Sequence, residues 1–292
     1  MLLRHIRYFL AVAEHGNFTR AAEALHVSQP TLSLQIRQLE ESLRAQLLDR
    51  TGRTVRVTDA GAAYRAYAQK ALQDLEAGKR ALHDVQELTR GELRLAITPT
   101  FTPYLVGPLV AAFNERYPEI SLGVLEMPQE RIEAMLADDA LDIGIAFEEV
   151  SHPDIESRPL LVETLAMVVG PLHPLASKRK ALSLKQFERE KFVLLNEQFA
   201  TRLYINRYCR QYEVAPHIAM ESNSVSAVIE VVRRTKMATL LPSAVADTQE
   251  GLHQIRLEPA PSNRVAALLQ RKDAYRSAAS RAFIEIATNL QA

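Results

Sequence analysis

Residues 19–39 read TRAAEALHVSQPTLSLQIRQL, and the spacing of their apolar side chains decides how the N-terminal part of the chain folds. Two short helices joined by a tight connection satisfy the pattern. Thr19 is placed as the cap of the first, which carries Ala21, Ala22 and Leu25. Ser28 is placed as the cap of the second, with Pro30 in its first turn, where a missing N–H has no cost. Leu32, Ile36, Leu39 and Leu43 then recur at helical spacing and form one buried stripe. Off that stripe lie Gln29, Thr31, Ser33, Leu34, Arg37 and Gln38, mostly uncharged hydrogen-bonding residues. Amides and hydroxyls of this kind read base edges in the major groove, and Arg serves phosphate or guanine. An ordinary helical hairpin satisfies the same spacing.

Outward from this stretch, Ile6, Phe9, Leu10 and Ala13 give a preceding helix that stops at Gly16-Asn17. The segment QLLDRTGRTVRVT that follows changes to alternation over 54–58, with a turn at Gly52, so a small hairpin, a wing, is expected. Arg50, Arg53 and Arg56 recur through it, placed to grip phosphates or enter a narrow minor groove; a solvated loop with Arg50 in a structural salt bridge is the alternative. From Thr58 to about Leu88 the pattern is helical, with Tyr64, Ala68, Ala71, Leu75, Gly78, Leu82 and Val85 as a heptad seam. Such a helix, roughly 45 Å long, is expected to pair with its twin in a homodimer; packing against its own chain is the alternative. Two reading helices held this way match a two-fold operator in double-stranded DNA.

Thr89, Arg90 and Gly91 read as a hinge, after which strands and helices alternate. Strands are expected at 93–98, 120–126, 142–147, 164–169, 192–195, 218–221, 239–241 and 264–270. Helices are expected at 129–137, 201–212, 224–234 and 277–290, with one ending near Tyr117 that is kinked or delayed by Pro108. This order implies α/β architecture with parallel sheets. Asp138, Asp139 and Asp142 flank a turn and read as solvated.

The chain has 292 residues and balances 35 Lys+Arg against 35 Asp+Glu, so any nucleic-acid footprint is local. Residues 1–90 carry 13 basic and 10 acidic side chains, a slight positive excess in the expected place. One cysteine, Cys209, rules out an internal disulfide framework, and its expected place is a buried helix face. Charges inside the opening MLLRHIRYFL, and no apolar run of about 20 residues, point to a cytoplasmic chain without leader or membrane span. The eight histidines are scattered, and no GxSxG, GxxxxGK[ST] or GxGxxG motif occurs, so neither enzyme, cofactor nor metal site is expected.

The runs AAEALHVSQPTLSLQIRQLEESLRAQLLDR (21–50) and GRTVRVTDAG (52–61) resemble the DNA-binding domain of the LysR-type transcriptional regulators. LRLAITPTFTPYLVGPL (93–109), LDIGIAF (141–147), VVGPLHPLA (168–176), LLNEQFATR (194–202) and ATLLP (238–242) resemble most closely the cyanate-operon branch of that family. Met237, where many relatives have glycine, fits that branch. The resemblance implies a winged helix-turn-helix at 1–58, a linker and dimerisation helix with hinge at 59–90, and a two-lobed effector domain at 91–292. That domain is of periplasmic-binding-protein type, with lobe I at 91–162 and 266–292 and lobe II at 163–265. A tetramer is implied, with RNA polymerase as a candidate partner. The family favours DNA contact by Arg53. At Leu34 the chain departs from the polar or basic residue usual in relatives, and contact with a thymine methyl is expected instead.

Ligands of open parallel sheets lie beyond the carboxyl ends of strands. Thr98, Thr100 and Phe101 stand at such a place in the first lobe, and Thr201 and Arg202 in the second; Gln129 and Phe147 are further candidates. Thr100 occupies the hydroxyl position of the family's first-lobe loop. Hydroxyls at helix starts favour a small anion, cyanate by resemblance. An aromatic or amino-acid effector, or a solute-binding protein or enzyme whose N-terminal helices serve assembly, are the alternatives.

Overall fold

Side-chain caps set the starts of the second, third and fourth helices in the computed structural model, which describes residues 2–52, 54–84, 91–177 and 180–290. Helix α1 (Leu3–His15) ends at Gly16, whose φ of 59° is the left-handed conformation glycine adopts without strain. Helix α2 (Phe18–Ala24) is capped by Asn17, whose side chain accepts from the N–H groups of Thr19 and Arg20. Thr19 is therefore inside the helix and is not its cap, because the asparagine carbonyl reaches the helix's first free donors from two residues earlier. Ser28 does cap α3 (Gln29–Leu43), accepting from the Thr31 N–H at 3.2 Å.

Strands β1 (Leu48–Asp49) and β2 (Arg56–Val57) pair antiparallel as the wing. Helix α4 (Asp59–Asp84) follows, entered through Thr58, whose hydroxyl accepts from the Gly61 N–H at 3.0 Å. Phe9, Val12, Leu32, Ile36, Leu39 and Leu48 make the core of this unit at zero exposure, while Leu43 is half-buried. The expected seam of α4 divides: Ala68 is buried and Tyr64 stacks on Phe9 at 5.6 Å, whereas Ala71, Leu75 and Gly78 are exposed. The seam therefore begins as intrachain packing. Leu82 and Val85, like Arg53, Thr89 and Arg90, lie outside the described side chains.

A Cβ at Gly61 would stand 2.1 Å from the Leu47 carbonyl oxygen and 2.8 Å from Val57. Backbone occupies the space, so Gly61→Ala is expected to destabilise this unit by about 1–3 kcal/mol. Chemical denaturation reads the change, and an unaltered midpoint would remove the packing argument.

The chain divides into two compact units, Met1–Arg80 and Ala81–Ala292. The second begins with β3 (Gly91–Ile97), a 3-10 turn (Pro99–Phe101), a π turn (Thr102–Val106) and α5 (Gly107–Arg116). Gly91 is thus a strand residue, and the α-helix start is delayed to Gly107-Pro108 as expected. β4 (Ile120–Glu126), α6 (Gln129–Ala137), β5 (Ile143–Phe147) and β6 (Ile155–Glu163) complete the first pass through lobe I. Lobe II contains β7 (Leu165–Val169), β8 (Leu182–Ser183), α7 (Leu184–Phe187), β9 (Lys191–Leu195), α8 (Ala200–Gln211) and β10 (His217–Ser222). It continues with α9 (Val225–Arg234), β11 (Ala238–Pro242), α10 (Ser243–Thr248), β12 (His253–Ile255) and β13 (Leu257–Glu258). β14 (Arg264–Arg271) and α11 (Ala278–Asn289) return to lobe I.

The lobe I sheet has the order β4-β3-β5-β14-β6 and the lobe II sheet the order β10-β9-β11-β7-β12. Both are mixed rather than purely parallel: β14 pairs antiparallel with β5 and β6, and β7 antiparallel with β11 and β12. The long strand β6 was not expected from sequence, because IESRPLLVE contains a proline and no clean alternation. It is an edge strand, where proline is tolerated. β6 runs through Glu163 and β14 opens at Arg264, so both strands overlap the lobe boundaries placed from sequence. Asp142 is not solvated either: it accepts from the Arg94 backbone N–H and from its guanidinium at 2.8 Å each. Cys209 is buried on α8, as expected.

Candidate functional site

Two surfaces carry the chemistry. On the first, the stripe of α3 is buried, and its opposite side presents Ser28, Gln29, Pro30, Thr31, Leu34, Arg37 and Gln38 to solvent, with Ser33 at the margin. Leu34 is 53 % exposed, a large apolar side chain that the domain's own core does not use. The Ser28 and Thr31 hydroxyls lie 2.7 Å apart and brace the helix start. Thr19 is exposed on α2 and Arg56 on β2. Arg50 differs from its expected role. Its guanidinium donates to Glu40 at 2.6 Å and lies over the Phe18 ring at 5.2 Å, so it supports the wing from behind. Glu40 also accepts from the Leu47 and Leu48 N–H groups at 2.9 and 3.1 Å. One carboxylate thus ties α3 to β1, a role its place among surface glutamates in LEESL did not reveal.

The second surface is a cavity of about 310 Å³ between the lobes. Thr98, Thr100, Gln129 and Phe147 line it from lobe I, and Phe199, Thr201 and Ser224 from lobe II. Thr98 Oγ1 is buried without a hydrogen-bond partner. Thr201 Oγ1 accepts from Arg264 Nη1 at 3.0 Å, which leaves its own O–H free to donate. Neither Pro128 before α6 nor Phe199 before α8 caps its helix with a side chain, so both helix starts bring N–H groups to the cavity wall. The charged lining residues are Glu126 and Glu130, both exposed at the rim.

The other effector candidates are placed differently. Phe101 is fully buried and packs on Phe147 at 5.1 Å, outside the lining. Arg202 is buried in lobe II, where it bonds Glu221, Asn206 and the Leu195 carbonyl. Gln129 lines the cavity but its amide is fully engaged: Oε1 accepts from the Phe147 N–H, and Nε2 faces Glu133, Phe147 O and Glu149 O. It clasps α6 to the end of β5.

Sequence reading missed the group beneath the cavity floor. Arg264 is buried at the start of β14, ion-paired with Glu163 at the end of β6, and stacked on Phe147 and Tyr204 at 4.4 and 5.0 Å. The Tyr104 hydroxyl donates to Glu163 at 2.7 Å. Burial pushes the Glu163 carboxyl upward, opposed by Arg264 and by the tyrosine bond. Burial, then the neighbouring carboxylate, holds Tyr104 protonated well beyond its ordinary range. The available signal was a lone arginine opening the apolar strand RVAALLQR, which reads equally well as a solvated strand end.

Residues 3–62 match the family described as bacterial regulatory helix-turn-helix protein, lysR family, and residues 86–292 match the LysR substrate binding domain. The chain is a member of the LysR family. A RuBisCO operon transcriptional regulator from Allochromatium vinosum is 32% identical to it over 88% of this chain and 81% of that one. The uncharacterized HTH-type transcriptional regulator YwbI of Bacillus subtilis is 31% identical over 98% of this chain and 95% of that one. A full-length OxyR variant from Pseudomonas aeruginosa superposes with a TM-score of 0.68 at 24% identity, covering 99% of this chain and 94% of that one. CbnR in complex with target DNA gives 0.64 at 22% identity over the full length of both, and these two likenesses show the fold. This LysR-type protein is a DNA-binding transcriptional regulator rather than an enzyme. No described helix is long and apolar enough to cross a membrane.

Proposed function

We propose that this LysR-type regulator reads its operator with the exposed side of α3 and responds to a small monoanion held between the lobes of its effector domain. The unpartnered, buried hydroxyl of Thr98 carries the effector reading, since a buried polar group left without a partner costs free energy that a ligand would recover. Thr201 faces the same space as a donor, and two uncapped helix starts add partial positive charge. Glu126 and Glu130 at the rim oppose a polyanion, so a compact single charge is favoured. Cyanate meets these conditions. Relatives named as RuBisCO operon regulators favour a second reading, in which the target genes are those of carbon fixation.

On DNA, Gln29, Ser33, Leu34 and Arg37 are assigned to base edges, with Ser28, Pro30 and Thr31 shaping the helix start, and Thr19, Arg53 and Arg56 are assigned to phosphates. Arg50 is assigned a bracing role through Glu40. The exposed Tyr67 and Leu75 on α4, with Ala71 and Gly78 between and beyond them, offer a partner helix an apolar edge.

Calorimetry of the full chain with cyanate, azide and benzoate tests the effector reading. Saturable binding of a small monoanion is expected. Thr98→Val is expected to weaken it about tenfold, as one charge-assisted hydrogen bond is lost, without lowering the melting temperature. Binding of the aromatic carboxylate alone would end the proposal.

A further inference from the structure

The exposed side of α3 is joined to α1 by a hydrogen-bond relay with a fixed direction. His5 is 7 % exposed, and its Nδ1 stands 3.4 Å from the Leu2 N–H. A backbone N–H only donates, so Nδ1 is the acceptor and Nε2 carries the ring proton. Nε2 lies 2.9 Å from Gln35 Oε1 and therefore donates to it. With its oxygen held by the imidazole, the half-buried Gln35 turns its NH₂ outward, and that group donates to Gln38 Oε1 at 3.0 Å.

The relay ends on a residue that faces solvent one turn beyond the exposed Leu34. A free glutamine offers both an acceptor and donors and can pair with adenine through N6 and N7. The bond from Gln35 holds the Gln38 oxygen toward the relay, so its NH₂ is the group turned outward for a base. Guanine presents two adjacent acceptors, N7 and O6, and thymine one, O4; adenine's single acceptor, N7, is flanked by the N6 donor, which would face the amide NH₂, and cytosine presents a donor. We infer that His5 and Gln35 are positioning residues that set the polarity of Gln38 and give one operator position a preference for guanine, then thymine. The inference rests on the reading that this side of α3 enters the major groove.

Selection from a random duplex library by the full-length protein tests it, comparing wild type with Gln38→Ala, Gln35→Glu and His5→Phe. Gln38→Ala is expected to flatten the preference at one position and so identify it. In Gln35→Glu the carboxylate still accepts from His5 but has no proton for Gln38. Gln38 then turns its NH₂ toward the carboxylate and its oxygen toward the base. At the identified position the preference is expected to move to adenine or cytosine by about fivefold. The added charge near phosphates weakens all sequences alike and cancels in that ratio. His5→Phe frees Gln35 to rotate, and the position is expected to accept adenine beside guanine.

An unchanged preference in Gln35→Glu, at the position that Gln38→Ala flattens, overturns the relay. If Gln38→Ala flattens no position while the wild type still selects a sequence, Gln38 is not a reader and the inference falls with the DNA-reading helix intact. If the wild type selects nothing, the reading of α3 itself has failed, and the inference with it.

Discussion

Arg264→Met is expected to destabilise the effector domain by about 3–5 kcal/mol, because it leaves the Glu163 carboxylate in a site where its side chain is only 2 % exposed. Glu163→Ala is expected to cost as much by stranding the guanidinium, whose side chain is fully buried. The double variant Arg264→Met/Glu163→Leu is expected to be more stable than either single one, since a buried ion pair roughly breaks even against well-packed apolar groups of similar volume. At about 2–4 °C per kcal/mol for a unit of this size, the single variants should melt about 10 °C lower. Differential scanning calorimetry of the three proteins decides the matter. Single variants that melt with the wild type would mean the pair is solvated in solution. The double variant should keep its fold and still bind the effector less well, because Thr201 loses the donor that turns its hydroxyl toward the cavity.

The second large effect is expected at Glu40. Its carboxylate accepts from two backbone N–H groups and one guanidinium while its side chain is 13 % exposed. Glu40→Ala orphans the Leu47 and Leu48 N–H groups and releases Arg50, for an expected loss of about 2–4 kcal/mol from the N-terminal unit. Glu40→Gln keeps one oxygen for the two N–H groups and should cost about half of that. Urea unfolding of the full chain measures both. A promoter fragment titrated at several salt concentrations shows whether the wing has moved. Weaker binding by Glu40→Ala with a shallower salt slope means that arginines have left the phosphates. A wild-type slope and a wild-type midpoint together would show that the carboxylate holds nothing.

Periodicity made much of the architecture legible before any coordinates. Leu32, Ile36 and Leu39 lie on one side of a helix whatever surrounds it, so the turn and polarity of α3 follow from spacing alone. The strands Ile120–Glu126 and Ile143–Phe147 and the helix Gln129–Ala137 were likewise legible, because each is bounded by turn residues and carries its own pattern. β6 was not, since an edge strand containing proline has neither alternation nor a continuous apolar run.

The cavity divides in the same way. Local sequence placed Thr98, Thr100 and Thr201 at strand ends and helix starts, and those positions line the space between the lobes. It could not tell a threonine with a free hydroxyl from a glutamine whose amide is already engaged, because two of the three partner residues of Gln129 lie 18 and 20 residues away. Nor could it pair Arg264 with Glu163 across 101 residues, or find the Glu40 clasp and the direction of the relay from His5 through Gln35 to Gln38. The sequence by itself determined the long periodic helices and the main strands and, as in α3, which side of a helix is buried, because those are short-range consequences of side-chain spacing. Only the tertiary structure decided which polar groups are satisfied and which remain free for a ligand or a base, because a hydrogen bond is settled by whatever folding brings to the other end of it.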